Sequence, residues 1–165
     1  MTLAVAYAEN INYTHCSPGV GEGENGINIH QILNDVFSYG RQSGLRELTR
    51  QALLEIYQDY SKENWDGEGA IAIAQDAYLE AREFIRLLPT TLPLPEVLPE
   101  PTGEIALEWY KSKAHLFVVS FRGRGIITYA GMFGEGNTIH GTERFEDFIP
   151  KMVIENMRRL LPLPA

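Results

Sequence analysis

The spacing of apolar residues changes from a helical period to a strand period at one point in this chain, just after a proline-rich segment. Upstream, apolar residues recur every three or four positions, which predicts amphipathic helices from about Leu45 and from about Ala74. Downstream of Gly103, apolar and polar residues alternate, which predicts strands. Residues 89–103 between them hold five of the nine prolines, so we expect an extended connector there.

The second half of the chain is typical of an antiparallel meander. The polar segments 111–113 and 122–125 are short enough to join neighbouring strands as hairpins, and a fourth strand is expected at about 138–142. A last helix is expected from about Pro150, since proline fits the first helical turn. The order predicts an α+β fold: two helices, an antiparallel meander of about four strands, then a C-terminal helix, with the helices on one face of the sheet.

The chain divides into an arm and one domain. Residues 1–42 are rich in glycine and are predicted to form an N-terminal arm that docks on the rest. Residues 43–165 are predicted to form a single α+β domain with the proline-rich connector at 89–103, because 165 residues leave little room for two cores. Ser43 is placed to cap the first helix of that domain.

Charge and cysteine content limit the classes of function. The formal net charge is -8, and the acidity lies almost wholly in the first 103 residues. This balance argues against nucleic-acid binding, which depends on Lys and Arg. A single cysteine, Cys16, argues against a disulfide framework and a cysteine-based zinc cage. No apolar run approaches the roughly 20 residues that span a bilayer, so we expect a cytoplasmic protein without membrane contact.

Two segments resemble ligand-binding loops but lack a necessary part. Residues 21–26 match the pattern GxGxxG, yet two glutamates lie inside the loop and no buried strand precedes it. Residues 64–75 resemble a calcium loop, but the twelfth position, which should supply a bidentate carboxylate, is Gln75. We instead expect Trp65 to pack into the core and Asp66 to accept backbone N–H groups in a turn.

The remaining chemistry-bearing residues form no recognisable constellation. Cys16 follows His15 directly, whereas a catalytic pair is usually distant in sequence. His30, His115 and His140 show no metal-ligand spacing. Glu104 and Glu108 fall on one face of a predicted strand and are expected to be solvated. We therefore assign no catalytic, cofactor-binding or metal-binding residues, and no cofactor.

Several short motifs occur together between residues 60 and 160. They are the turn at 64–70 (NWDGEGA), a helix ending in Leu-Pro, the proline-rich connector, the strand at 106–109 (ALEW) and the turn at 140–142 (HGT). In these the chain resembles a group of small bacterial proteins with no established activity. The resemblance implies a bacterial origin and one compact domain. It implies no reaction, so no catalytic residues carry over.

The leading functional hypothesis is a protein-binding module without catalytic activity, which sequesters or modulates a partner as antitoxins, immunity proteins and defence inhibitors do. Acidic residues would steer a partner with a basic surface and raise its association rate. The candidate partner-binding residues are Glu22, Glu24, Glu63 and Glu68.

Two alternatives stay open. One is a small enzyme or ligand-binding protein with a pocket between sheet and helices, whose candidate lining is Trp65, Glu108, Trp109, Tyr129 and His140. The other is a homodimer through a sheet edge or the turn at Met132 and Phe133. The identity of a partner or ligand, the oligomeric state and the role of the arm do not follow from the sequence.

Overall fold

A computed structural model describes the backbone of residues 29–161 and the side chains of residues 40–161. It contains three helices and a five-stranded sheet: α1 (Ile29–Asp59), α2 (Gln75–Leu87), β1 (Glu96–Pro99), β2 (Ile105–Ser112), β3 (His115–Phe121), β4 (Ile126–Phe133), β5 (Thr138–Arg144) and α3 (Lys151–Leu160). The predicted α+β class is confirmed. No helix in residues 29–161 carries the long apolar stretch that crossing a bilayer requires.

The sheet is a plain antiparallel meander with the order β1-β2-β3-β4-β5. It has one strand more than the roughly four predicted, because the connector contributes β1 at the sheet edge. Leu107 of β2 pairs with Val97 on one side and with Val119 on the other. Pro99 ends β1, in the edge position where a residue without an N–H group is tolerated.

All three helices pack on one face of the sheet and enclose a single apolar core. Phe84 of α2 lies at its centre and contacts the rings of Trp109, Phe121 and Phe145 at centroid distances of 6.4, 5.2 and 5.5 Å. The sheet contributes alternate residues, because successive side chains of a strand point to opposite faces. These helix-facing core residues are Val97, Ile105, Leu107, Trp109, Phe117, Val119, Phe121 and Ile127.

The first helix is longer than the sequence pattern indicates. The predicted helix is present, but its predicted start at about Leu45 was wrong, since α1 begins at Ile29 and runs through Gly40 and Gly44. An internal glycine costs a helix about 1 kcal/mol, which is less than the cost of nucleating a new one. Ser43 is therefore no cap, and its hydroxyl donates to the Gly40 carbonyl at 3.0 Å. Residues 1–28 of the predicted arm lie outside the described residues.

The turn between β3 and β4 is attached to α2 by one carboxylate. Glu80 accepts hydrogen bonds from the backbone N–H groups of Gly123 at 2.9 Å and Gly125 at 2.5 Å. The backbone of Gly123 comes so close to the start of α2 that a Cβ atom there would lie 2.6 Å from the Ala77 nitrogen. This contact fixes α2 across the end of the sheet.

Candidate protein-binding surface

The five residues predicted to line a pocket do not line a common cavity. Trp109 is 3% exposed and belongs to the core. Trp65 lies in the α1–α2 loop, where its ring packs edge-on against Tyr60 at 4.6 Å. Tyr129 is on the helix-facing side of β4 and packs against Phe117 at 6.0 Å. The expectation that Trp65 fills the core is met only in part, since its side chain is half-buried.

Glu108 and His140 share the opposite face of the sheet but stay apart. The register aligns Glu108 with Val118, Val118 with Ala130, and Ala130 with His140. Three strand spacings separate the two residues, which is about 14 Å. A carboxylate and an imidazole at that distance do not share a proton or a substrate atom. Glu108 and His140 therefore do not form the convergent pair of polar groups that the small-enzyme alternative requires.

Two of the four candidate partner-binding glutamates are accessible. Glu63 and Glu68 lie in the loop between α1 and α2, and both are exposed. Glu22 and Glu24 fall outside the described residues. The loop also carries the exposed side chains of Lys62 and Asp66. It therefore presents three carboxylates and one ammonium group to solvent.

Polar side chains within the loop hold its backbone in shape. Asp66 accepts hydrogen bonds from the N–H groups of Ala70 at 3.0 Å and Glu68 at 2.8 Å. These two backbone donors, that of Ala70 most strongly, hold the pKa of Asp66 below its ordinary value of 3.8. Asn64, at φ 61°, accepts from the Gly69 N–H at 2.7 Å. The expected turn role of Asp66 agrees with these contacts.

The lowered pKa of Asp66 predicts an acid-sensitive contribution to stability. A carboxylate with a lowered folded-state pKa stabilises the fold fully above the unfolded value of 3.8, and this is lost as the pH falls through the folded value. We expect Asp66→Ala to lower the unfolding midpoint in urea at pH 7, and this difference from wild type to shrink below pH 3.8. Glu63→Ala controls for removing one charge. A difference that stays constant with pH would contradict the role.

A groove lies between α1 and the proline-rich connector. Its volume is about 770 Å³. The α1 wall consists of Gln42, Leu45, Leu48, Thr49 and Ala52, and the connector wall of residues 92–97. Glu96 is its one charged lining residue. We call this the α1–connector groove.

The part of α1 that forms the groove wall exposes apolar side chains, although α1 is buried against the core at other positions. Leu53 of α1 is fully buried against the core, yet Leu45 is 49% and Leu48 is 63% exposed. Their spacing puts all three residues on one broad apolar side of an amphipathic helix. This side is wider than α2 and the connector cover. The sequence analysis therefore did not predict the groove. The one sequence signal for it is that the apolar side of α1 is broader than its neighbours cover.

The connector wall is held in place by the core. The indole N–H of Trp109 donates to the Pro93 carbonyl at 2.8 Å, and Leu92 and Pro95 are buried. Prolines have a fixed φ and lose little entropy when a ligand orders them. The wall is therefore preformed rather than shaped by a ligand.

The environment of Glu104 differs from the sequence prediction. Glu104 was expected on a solvated strand face, but it is 8% exposed and forms an ion pair with Arg122. The pair forms because β3 is antiparallel to β2, so that Arg122 after the end of β3 lies beside Glu104 before the start of β2. Glu108 is only partly exposed.

Within the described side chains, no three His, Cys, Asp or Glu residues are placed to hold a metal ion together. Comparisons of the chain with protein-family models, with curated proteins and with solved structures find no match.

Proposed function

We propose that this protein is a non-catalytic protein-binding module that acts in the cytoplasm and takes an apolar segment of a partner into the α1–connector groove. The observation that carries the proposal is the pair of exposed leucines, Leu45 and Leu48, opposite a rigid wall of prolines. Grooves of this form accept the apolar side of an amphipathic helix, which places anchor residues at spacings of three and four.

Charge supports a partner with a basic surface. The groove itself holds one carboxylate, Glu96, and the loop that follows α1 exposes Glu63 and Glu68. Basic residues beside an apolar helix face would associate with this acidic protein faster at low salt. Apolar burial in the groove then provides most of the affinity, because exposed charge pairs contribute little.

The test separates groove binding from electrostatic steering. The tagged full-length chain captures its partner from host lysate, and the purified pair is then measured by surface plasmon resonance. We expect Leu45→Glu with Leu48→Glu to weaken binding at least a hundredfold, since about 3 kcal/mol of apolar contact is lost. Reversal of Glu63 and Glu68 to lysine should slow association at low salt with little change in dissociation.

Leu54→Glu is the matched control. Leu54 lies on the same helix, is 39% exposed and is absent from the groove lining. It should leave the affinity unchanged. Equal binding by the double groove variant and the Leu54 control would overturn the proposal, and an unchanged association rate for the lysine variant would remove its electrostatic part.

A further inference from the structure

The face of the sheet that points away from the helices is covered by no other element of residues 29–161. Alternation along the strands places an apolar group there, surrounded by polar residues. Val118 of the central strand lies in the middle of this group. We call this surface the open face, and its apolar members are Leu98, Ala106, Tyr110, Leu116, Val118, Ile126, Ala130 and Met132.

Charges on the open face are sorted by strand. The β1–β2 side carries carboxylates, and the β4–β5 side carries Arg144 and the imidazole of His140. The carboxylates are those of Glu96, Glu100, Glu104 and Glu108. Glu104 is neutralised by Arg122, but the other three have no cationic partner among the described residues. Arg144 is highly exposed, and its ion-pair partner among the described residues is Glu146 at 3.6 Å.

From this arrangement we propose that the open face binds a second copy of the same chain, with a twofold axis that runs along β3. Rotation about that axis lays β1 of one copy over β5 of the other and stacks the two sheets about 10 Å apart. The apolar centres then meet, with Val118 over Val118 and Leu116 over Leu116. Tyr110 comes over Met132, a favourable contact between ring and sulfur.

The same rotation brings opposite charges together at the rim. Glu100 and Arg144 occupy the same row of the sheet on opposite edges, so each faces the other across the interface. Glu96 and His140 form the equivalent pair at the two ends of the row that contains Val118. An axis across the strands would instead lay the acidic side over itself. Like charges at close range are costly, so the charges at the two sheet edges select the axis along β3. Arg122 follows β3 and meets its own copy across this axis, but each Arg122 is neutralised by Glu104.

The interface centres on the face opposite the α1–connector groove, and Glu96 at the sheet edge is the residue that the two surfaces share. The experiment is therefore the oligomeric state of the full-length chain, measured by sedimentation equilibrium at low salt. We expect a species of twice 18.6 kDa in equilibrium with the monomer. Arg144→Glu and Glu100→Arg should each weaken the dimer at least tenfold, because each places like charges opposite one another.

A charge swap distinguishes a rim pair from general damage. The double variant with Glu100→Arg and Arg144→Glu restores opposite charges across the axis and should recover most of the dimer. Arg158→Glu on α3, away from the open face, should change nothing. Val118→Glu should abolish the dimer while a cooperative thermal transition in circular dichroism shows that the monomer folds.

Three outcomes overturn the proposal. The first is a monomer at every concentration up to about 1 mM, where even weak interfaces associate. The second is a dimer that survives Val118→Glu in a folded protein. The third is a dimer lost on Leu45→Glu with Leu48→Glu, because the groove and not the open face would then hold it.

Discussion

Gly123→Ala should destabilise the protein by about 2–5 kcal/mol, measured as the free energy of unfolding in urea. Gly123 has a φ of +82°, a left-handed conformation that costs an alanine about 1–2 kcal/mol. Its new Cβ would also lie 2.6 Å from both the Ala77 nitrogen and the Asp76 Cβ. Relief requires α2 to move away from the sheet, which would break the hydrogen bonds that Glu80 accepts from the turn.

Gly136→Ala is the control for the backbone part of this effect. Gly136 has a φ of +69°, and a Cβ there would meet no atom within 4 Å. It should cost about 1–2 kcal/mol, the backbone penalty alone. If the two variants are equally stable, the close contact between the β3–β4 turn and α2 has no energetic consequence.

Trp109→Ala should cost about 3–5 kcal/mol, as for other buried aromatic residues, and should also weaken partner binding. The ring is almost fully buried between Phe84 and Phe117. Its N–H group holds the Pro93 carbonyl and thereby the connector wall of the α1–connector groove. Trp109→Phe keeps most of the volume and loses this bond, so it should cost about 1–3 kcal/mol.

Trp65→Ala is the matched comparison for a tryptophan outside the core. Trp65 packs on Tyr60 and donates to the Ile71 carbonyl at 3.2 Å, but it remains half-buried. We expect a cost of about 1 kcal/mol and unchanged partner binding. A larger loss at Trp65 than at Trp109 in urea unfolding would contradict this assignment of the two residues.

The sequence predicts the later elements more accurately than the first helix. The predicted helix from about Ala74 agrees with α2, and the predicted helix after Pro150 agrees with α3. The predicted hairpin turns at 111–113 and 122–125 join β2 to β3 and β3 to β4. Proline and glycine mark those boundaries by local sterics. The start of α1 has no such mark, and its two internal glycines weaken a helix without ending it.

The candidate sites were harder to predict because they depend on contacts between distant segments. Helical spacing places Leu45 and Leu48 on the same apolar side as Leu53, but only packing against α2 and the connector decides which of them is covered. Likewise, the strand pattern puts Glu104 on the open face, while the ion pair with Arg122 depends on the return of the chain after β3.

Local steric rules and the period of apolar residues therefore determined the α+β class, the meander and the proline-rich connector, since these depend on neighbours within a few positions. The tertiary structure alone decided where apolar surface is left over. A buried position and an exposed one have the same local sequence signal when both lie on one helix face or one strand face. The α1–connector groove and the open face exist because the described elements have more apolar surface than they cover for one another.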